Sequence, residues 1–167
     1  MAYDLIGRVA TLGKPRILVV GDLILDRYVW GYAERISQEA PVPLLRADQR
    51  EHRLGGAASV ATMLAALGAR VSLIGAVGRD GEADLVRSLL AEQGIDDRFV
   101  LGLDDRPTTL KERYIGRAQD RHPQQMIRVD YETRDPIPAA AQAALLDQVP
   151  AAVARSDIVL ILSLIHI

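Results

Sequence analysis

The apolar positions of this chain fall into a few kinds of run, and each kind points to one kind of element. Arg16-Ile-Leu-Val-Val-Gly-Asp22 is continuously apolar and ends in Gly-Asp, which suits a strand buried on both faces of a parallel sheet. Val71-Ser-Leu-Ile-Gly75 reads as the next strand, and residues 157–162 as one more buried parallel strand. Gly55-Gly-Ala-Ala-Ser-Val-Ala-Thr-Met-Leu-Ala-Ala-Leu-Gly68 has a glycine pair at its start and a glycine just past its end. The good helix formers between them are apolar nearly all round, so a buried helix is predicted. Residues 82–93 set Leu85, Val86, Leu89 and Leu90 at helical spacing, with Gly94 placed as the C′ residue. Strand, helix and strand in alternation define the α/β class.

Other stretches are less regular. Residues 28–45 are rich in aromatic, proline and β-branched residues but alternate poorly, and Pro41 and Pro43 exclude a central strand, so edge strands or a flap are expected. Residues 99–103 form a short strand, followed by a turn at Asp104, Asp105 and Pro107. Residues 110–117 and 125–131 alternate enough to be two strands, joined by a polar loop containing Asp120 and Pro123. Pro138 suits the first turn of a helix over 139–148, which Pro150 kinks or ends. Gly75, Gly78 and Gly81 read as turn residues. No internal repeat is present.

Composition narrows the function classes. The 167 residues suffice for one domain with a real core, and 49% are hydrophobic, which excludes whole-chain disorder. Twenty basic and 22 acidic side chains leave a formal charge of −2, giving no long-range attraction to nucleic acid or an anionic membrane. An anionic ligand must therefore be held by a few local cations. There is no cysteine, so no disulfide framework or thiolate metal site exists, in keeping with a cytoplasmic location. No signal peptide is readable, and the longest apolar run, at 158–167, is far shorter than a membrane span.

Several residues can carry chemistry, each with a plainer alternative. Asp22 and Asp26 follow the first strand, at the sheet edge where open α/β folds bind ligands. A carboxylate there accepts paired hydrogen bonds from a polyol, or else caps a helix or faces solvent in a turn. Gly55 and Gly56 open a helix where a ligand can approach the backbone, or where helix and sheet pack closely. Lys111 and Arg113 share one strand face and can converge on a phosphate, or form a solvated stripe; Gln124, Gln125, Arg128 and Asp130 pose the same choice. Trp30, Tyr28 and Tyr32 either stack on a ligand or bury a flap, with burial the simpler expectation. His52, His122 and His166 share no metal or triad spacing, and neither a G-x-G-x-x-G after the first strand nor a P-loop occurs.

Taken together these segments resemble the PfkB, or ribokinase-type, sugar kinases. Val20-Gly-Asp-Leu-Ile-Leu-Asp-Arg-Tyr28 is similar to the family's opening strand in the form found in heptose 7-phosphate kinases. Arg35-Ile-Ser-Gln-Glu-Ala-Pro-Val-Pro43 resembles that subgroup's R-I-S-P-E-A-P-V-P, with Gln38 in place of a proline. Gly55-Gly-Ala-Ala-Ser-Val-Ala61 is similar to G-G-A-A-N-V-A, and Pro107-Thr-x-x-Lys-x-Arg113 and Gln124-Gln-x-x-Arg-x-Asp130 resemble later strands.

The resemblance implies a ribokinase-like (Rossmann-like) α/β fold, with a parallel sheet, helices on both faces and a small β-lid from residues 28–53 and 110–131. The lid covers the sugar and forms a homodimer contact in such kinases. It further implies that Asp26, with Asp22 nearby, holds sugar hydroxyls and that Gly55 and Gly56 line the pocket. Ser59 stands where the family has a sugar-contacting asparagine, as a shorter hydroxyl that still hydrogen-bonds. Lys111 and Arg113 become phosphate contacts. The implied reaction moves the ATP γ-phosphoryl, with Mg²⁺, to the anomeric hydroxyl of D-glycero-D-manno-heptose 7-phosphate. Ribokinase, fructokinase or a non-catalytic sugar-binding module are the alternatives. The family's base is the aspartate of Gly-Ala-Gly-Asp, which is absent from these residues, so no catalytic residue is assigned. The chain is expected to be a truncated N-terminal part over residues 1–161. Residues 162–167, Leu-Ser-Leu-Ile-His-Ile, are expected to be a non-native tail, because the codons CTG TCT CTT ATA CAC ATC for them match a common sequencing adapter.

Overall fold

Long apolar runs and charged alternating strands separate into two sheets. A computed structural model describes residues 7, 11, 13–117 and 122–162 of the chain. Along it run β1 (Arg16–Gly21), β2 (Leu23–Ile36), β3 (Pro43–Gly56), α1 (Ala57–Ala66), β4 (Arg70–Gly78) and α2 (Gly81–Glu92). They are followed by β5 (Asp96–Leu103), β6 (Leu110–Arg117), β7 (Gln124–Tyr131), α3 (Ala139–Val153) and β8 (Ile158–Leu162). One sheet, the body, has the order β5-β4-β1-β8 and is parallel throughout. The other, the lid, has the order β3-β2-β6-β7, with β2 and β6 parallel and the outer pairs antiparallel.

The body core follows from two-sided strands. Ile17 and Val19 of β1 and Leu73 of β4 pack on Ala58, Ala61, Val86 and Leu90 of α1 and α2. The alternate residues Leu18 and Ile74 face Ala152, Leu145 and Val149 of α3 on the opposite side. Burying each such side chain contributes about 1.5–3 kcal/mol relative to exposure. Both α1 and α2 end in a glycine with positive φ, Gly68 at 93° and Gly94 at 66°. The amides of Gly94 and Ile95 return to the carbonyls of Ala91 and Leu90, and those of Gly68 and Ala69 to Ala65 and Leu64, closing each last turn. The guanidinium of Arg16 and its backbone amide hold Asp157 at the mouth of β8, keeping that carboxyl near 2, well below its ordinary value.

Several expectations change. The lid strands extend beyond 28–53, from Leu23 to Gly56, and β2 is an inner strand; proline is confined to the start of the edge strand β3. Helix α1 is not buried all round, since Met63 is 60% exposed and Leu67, its C-cap, 83%. Pro150 does not end α3, which runs on to Val153, so the loss of one amide near the last turn is tolerated. Gly75 and Gly78 lie inside β4, and Gly81 opens α2, so none marks a loop. A Cβ on Gly75 would stand 2.6 Å from the Gly21 carbonyl, and one on Gly78 would stand 2.7 Å from the Thr108 amide, so close strand approach requires both glycines. Strand β5 begins at Asp96 and not at Phe99. Asp120 lies outside the described residues, as do residues 163–167; Leu162 pairs with Gly21 in the body sheet. Among the described residues no helix is long and apolar enough to cross a membrane.

Candidate functional site

The site grows from the corner where lid and body meet. Strand β1 ends at Gly21, Asp22 turns the chain, and β2 leaves antiparallel to β3, bringing Ile24 opposite Gly55 and Asp26 opposite Arg53. Gly56 has φ 59°, a left-handed conformation that favours glycine, and it is the N-cap of α1. The Asp22 carbonyl accepts the Ala57 amide at 2.9 Å and would collide with any Cβ on Gly56. A Cβ on Gly55 would lie 2.6 Å from Asp26 Oδ2. The glycine pair therefore serves close packing: the Asp26 carboxylate lies against Gly55 and the Asp22 carbonyl against Gly56, where any side chain would displace them.

Asp26 is not a helix cap or a turn residue. It sits within β2, and its Oδ1 accepts a hydrogen bond of 2.6 Å from Arg113 Nη1 on β6. The same nitrogen donates to the Lys111 carbonyl at 3.3 Å, and the guanidinium stands 5.2 Å from the centre of the Tyr28 ring. Arg53 covers Tyr28 as well, at 4.8 Å, while Glu51 binds its Nε. The pattern recurs four residues on, where Arg46 and Arg117 flank Tyr32. These cation–aromatic contacts order the face that carries Asp26. Tyr32 remains 39% exposed, so Tyr28 and Tyr32 support arginines and do not simply bury the lid, while Trp30 stacks beside Tyr28.

The nominated residues are thus partly gathered. Asp26, Gly55, Gly56, Arg113 and the Asp22 carbonyl meet at one corner. Lys111 is opposite Asp26 in the strand register, but its amine is 3.5 Å from Asp130 and 3.8 Å from Glu132. Arg128 also grips Asp130, through two hydrogen bonds of 2.8 and 3.0 Å. Burial raises the Asp130 carboxyl, yet these two cations outweigh it and leave the group below its usual range. Ser59 lies in the first turn of α1, half-buried. Among the described residues neither its hydroxyl nor the Asp22 carboxylate has a side-chain hydrogen bond or ion pair.

Sequence reasoning missed three contributors. Asp80 caps α2 through the Ala83 amide and accepts the amide and hydroxyl of Thr108, which is 2% exposed. Burial pushes that carboxyl up, but these hydrogen bonds prevail and hold it below its ordinary value. An aspartate just before a helical pattern was the available signal. Arg27 was missed too: it donates to His52 Nε2 at 3.0 Å and to Glu82 of α2 at 3.1 Å, and lies 3.5 Å from Glu112. Arg53 was the third. An open cleft beside Arg79, Asp80 and Arg87 contains none of the nominated residues.

A doubly covered parallel sheet with a β-lid over its carboxyl rim is the architecture of the ribokinase-like sugar kinases. The chain superposes on a carbohydrate kinase from Agrobacterium tumefaciens with a TM-score of 0.64 and 22% identity, covering 88% of this chain and 45% of that one. A ribokinase from Arabidopsis thaliana, solved with ribose and ATP, gives 0.61 and 21%, covering 89% and 45%. At the sequence level the pattern of the pfkB family carbohydrate kinases matches residues 14–152. The chain belongs to that family. It is 49% identical over 144 residues to the D-beta-D-heptose 7-phosphate kinase of Bordetella bronchiseptica, covering 86% of this chain and 42% of that protein. It is 48% identical over 147 residues to the bifunctional protein HldE of Pseudomonas paraeruginosa, covering 83% and 30%. The chain therefore spans less than half the length of either relative.

Proposed function

We propose that this chain is the sugar-holding part of a kinase that phosphorylates the anomeric hydroxyl of a heptose 7-phosphate. The observation that carries the proposal is the corner formed by Asp26 and Gly55-Gly56, in a chain 49% identical to a kinase named for that sugar. A polyol approaching this corner would meet Asp26 Oδ2 as an acceptor, while Arg113 occupies Oδ1. The Ser59 hydroxyl, on the first turn of the adjoining helix, adds a donor and acceptor. The Arg35–Pro43 segment, similar to that of heptose 7-phosphate kinases, favours this sugar over ribose or fructose.

Phosphoryl transfer needs positioning, charge neutralisation and removal of one proton from the attacking hydroxyl. In this proposal ATP supplies the phosphoryl group and Mg²⁺ neutralises its charge. Among the described residues no three acidic or histidine side chains are placed to hold a metal ion. The chain has no Gly-Ala-Gly-Asp motif for the base either. These 167 residues by themselves are accordingly expected to hold sugar without transferring phosphate.

The test is steady-state kinetics of the full-length kinase against heptose 7-phosphate, ribose and fructose. The heptose phosphate should give the highest kcat/KM; an equal or higher value for ribose or fructose overturns the substrate assignment. Asp26→Ala should raise the sugar KM about 10- to 100-fold, the worth of hydrogen bonds to a charged group, with the ATP KM unchanged. An unaltered sugar KM removes Asp26 from the site.

A further inference from the structure

Arg113 stands beside Asp26 as a cation that a phosphorylated sugar would be expected to claim, but its contacts point to other work. We infer that Arg113 is a positioning residue for Asp26 and not a phosphate contact; the inference rests on the sugar-holding role proposed for Asp26. Three restraints converge on the guanidinium. One is the 2.6 Å hydrogen bond to Asp26 Oδ1, another the 3.3 Å hydrogen bond to the Lys111 carbonyl of its own strand. The third is the Tyr28 ring, 5.2 Å away. Both partners of the ion pair are only 18% exposed, so solvent competes weakly for the bond.

The consequence lies at the other carboxylate oxygen. With Oδ1 held by Arg113, Oδ2 is kept against Gly55, 2.6 Å from where a Cβ on that residue would stand, and remains the carboxylate oxygen left for a ligand. A freely rotating aspartate would lose this orientation each time a sugar left, and would have to recover it on binding. A planar guanidinium that lies over Tyr28 while one nitrogen donates suits arginine to this task; lysine offers a point charge on a flexible stem. Neighbouring cations are arranged differently. Arg53 is 55% exposed and held by Glu51, and Lys111 is turned to Asp130 and Glu132. Arg113 is thus the cation here that braces the proposed sugar ligand.

A double-mutant cycle in the full-length kinase tests this. Arg113→Ala should raise the KM for the sugar phosphate about 10- to 100-fold with kcat little altered, because it removes support from a binding group. In an Asp26→Ala background the same change should add less than about twofold, since the group it orients is gone. A second measurement compares the sugar phosphate with the same sugar lacking phosphate. Positioning requires equal proportional losses on both, and Arg113→Gln, which keeps a donor, should restore part of the loss on both. Losses that multiply in the double variant, or a loss confined to the phosphorylated sugar, overturn the inference while leaving the sugar-holding role intact. An Asp26→Ala variant with an unchanged sugar KM defeats that role first.

Discussion

On one face of the lid sheet Arg113 joins Asp26, linking β6 to β2; on the other, Arg27 joins Glu82 and Glu112, linking β2 to α2 as well as to β6. The two arginines are almost equally shielded, 18% and 19% exposed. Their surroundings differ. The first pair stays within the sheet. The second leaves the sheet for a body helix and is walled in by His52, by Tyr114, which donates to Glu112 at 3.0 Å, and by the core around Leu25 and Leu110. The elements that a charge pair connects decide what it holds together: Arg113 ties strand to strand, and Arg27 ties strand to helix as well.

The contrast can be broken most forcefully at Glu112, which is 8% exposed. Glu112→Ala strips Arg27 of one shielded partner and should cost about 2–3 kcal/mol in urea unfolding, with little change in sugar KM. A sugar KM that rises as for Asp26→Ala, with stability intact, would erase the distinction between the faces. A smaller effect is expected from pH. Burial first, then the charges of Arg27 and Arg50, hold His52 below its ordinary value of 6.5. The unfolded chain therefore takes up this proton before the folded one, and the stability His52 contributes is complete above about pH 6.5 and is lost as pH falls through the lower folded value. His52→Gln should flatten that part of the stability profile, measured by denaturation between pH 5 and 8. The smallest effect belongs to the exposed pair of Arg16 and Asp157, outside the lid, with side chains 50% and 46% exposed. Arg16→Gln should bring the Asp157 carboxyl from about 2 back towards 3.8, read by NMR titration. The stability this group gives exists above its unfolded value and is lost as pH falls through about 2, so a loss appearing at neutral pH would contradict the assignment.

How far the sequence reveals this arrangement depends on the kind of element. The edge strand β8, expected to be buried, leaves Ile158, Val159 and Ile161 51%, 41% and 76% exposed. The inner strand β1 is legible because both its faces are buried: Ile17, Leu18, Val19 and Val20 leave no polar gap, and Gly68 and Gly94 mark helix ends by a conformation other residues avoid. The lid is less so. Arg27, Glu112 and Arg113 sit in alternating charged stretches that read equally well as solvated strands, and no local pattern records that β2 and β6 lie side by side. Within the site, Asp26 and the glycine pair stand out from their motifs. The brace on Asp26 does not, since Arg113 is 87 residues away and its direction is set by Tyr28 and Lys111. The two cations expected to act together, Lys111 and Arg113, are drawn apart by different carboxylates.

The parallel seam between β2 and β6 also dictates an order of events during synthesis. Strands β2 and β3 are neighbours in the chain and can pair as soon as both have left the ribosome. β6 cannot join them until α1, β4, α2 and β5 have been made, and it pairs in register over eight positions from Leu25↔Leu110 to Tyr32↔Arg117. Closing so long a loop is slow and entropically costly until the body has already shortened the distance. The β2–β3 half of the lid can therefore pair early, the two halves of the aspartate's setting come together only when β6 arrives, and β8 completes the body sheet later still.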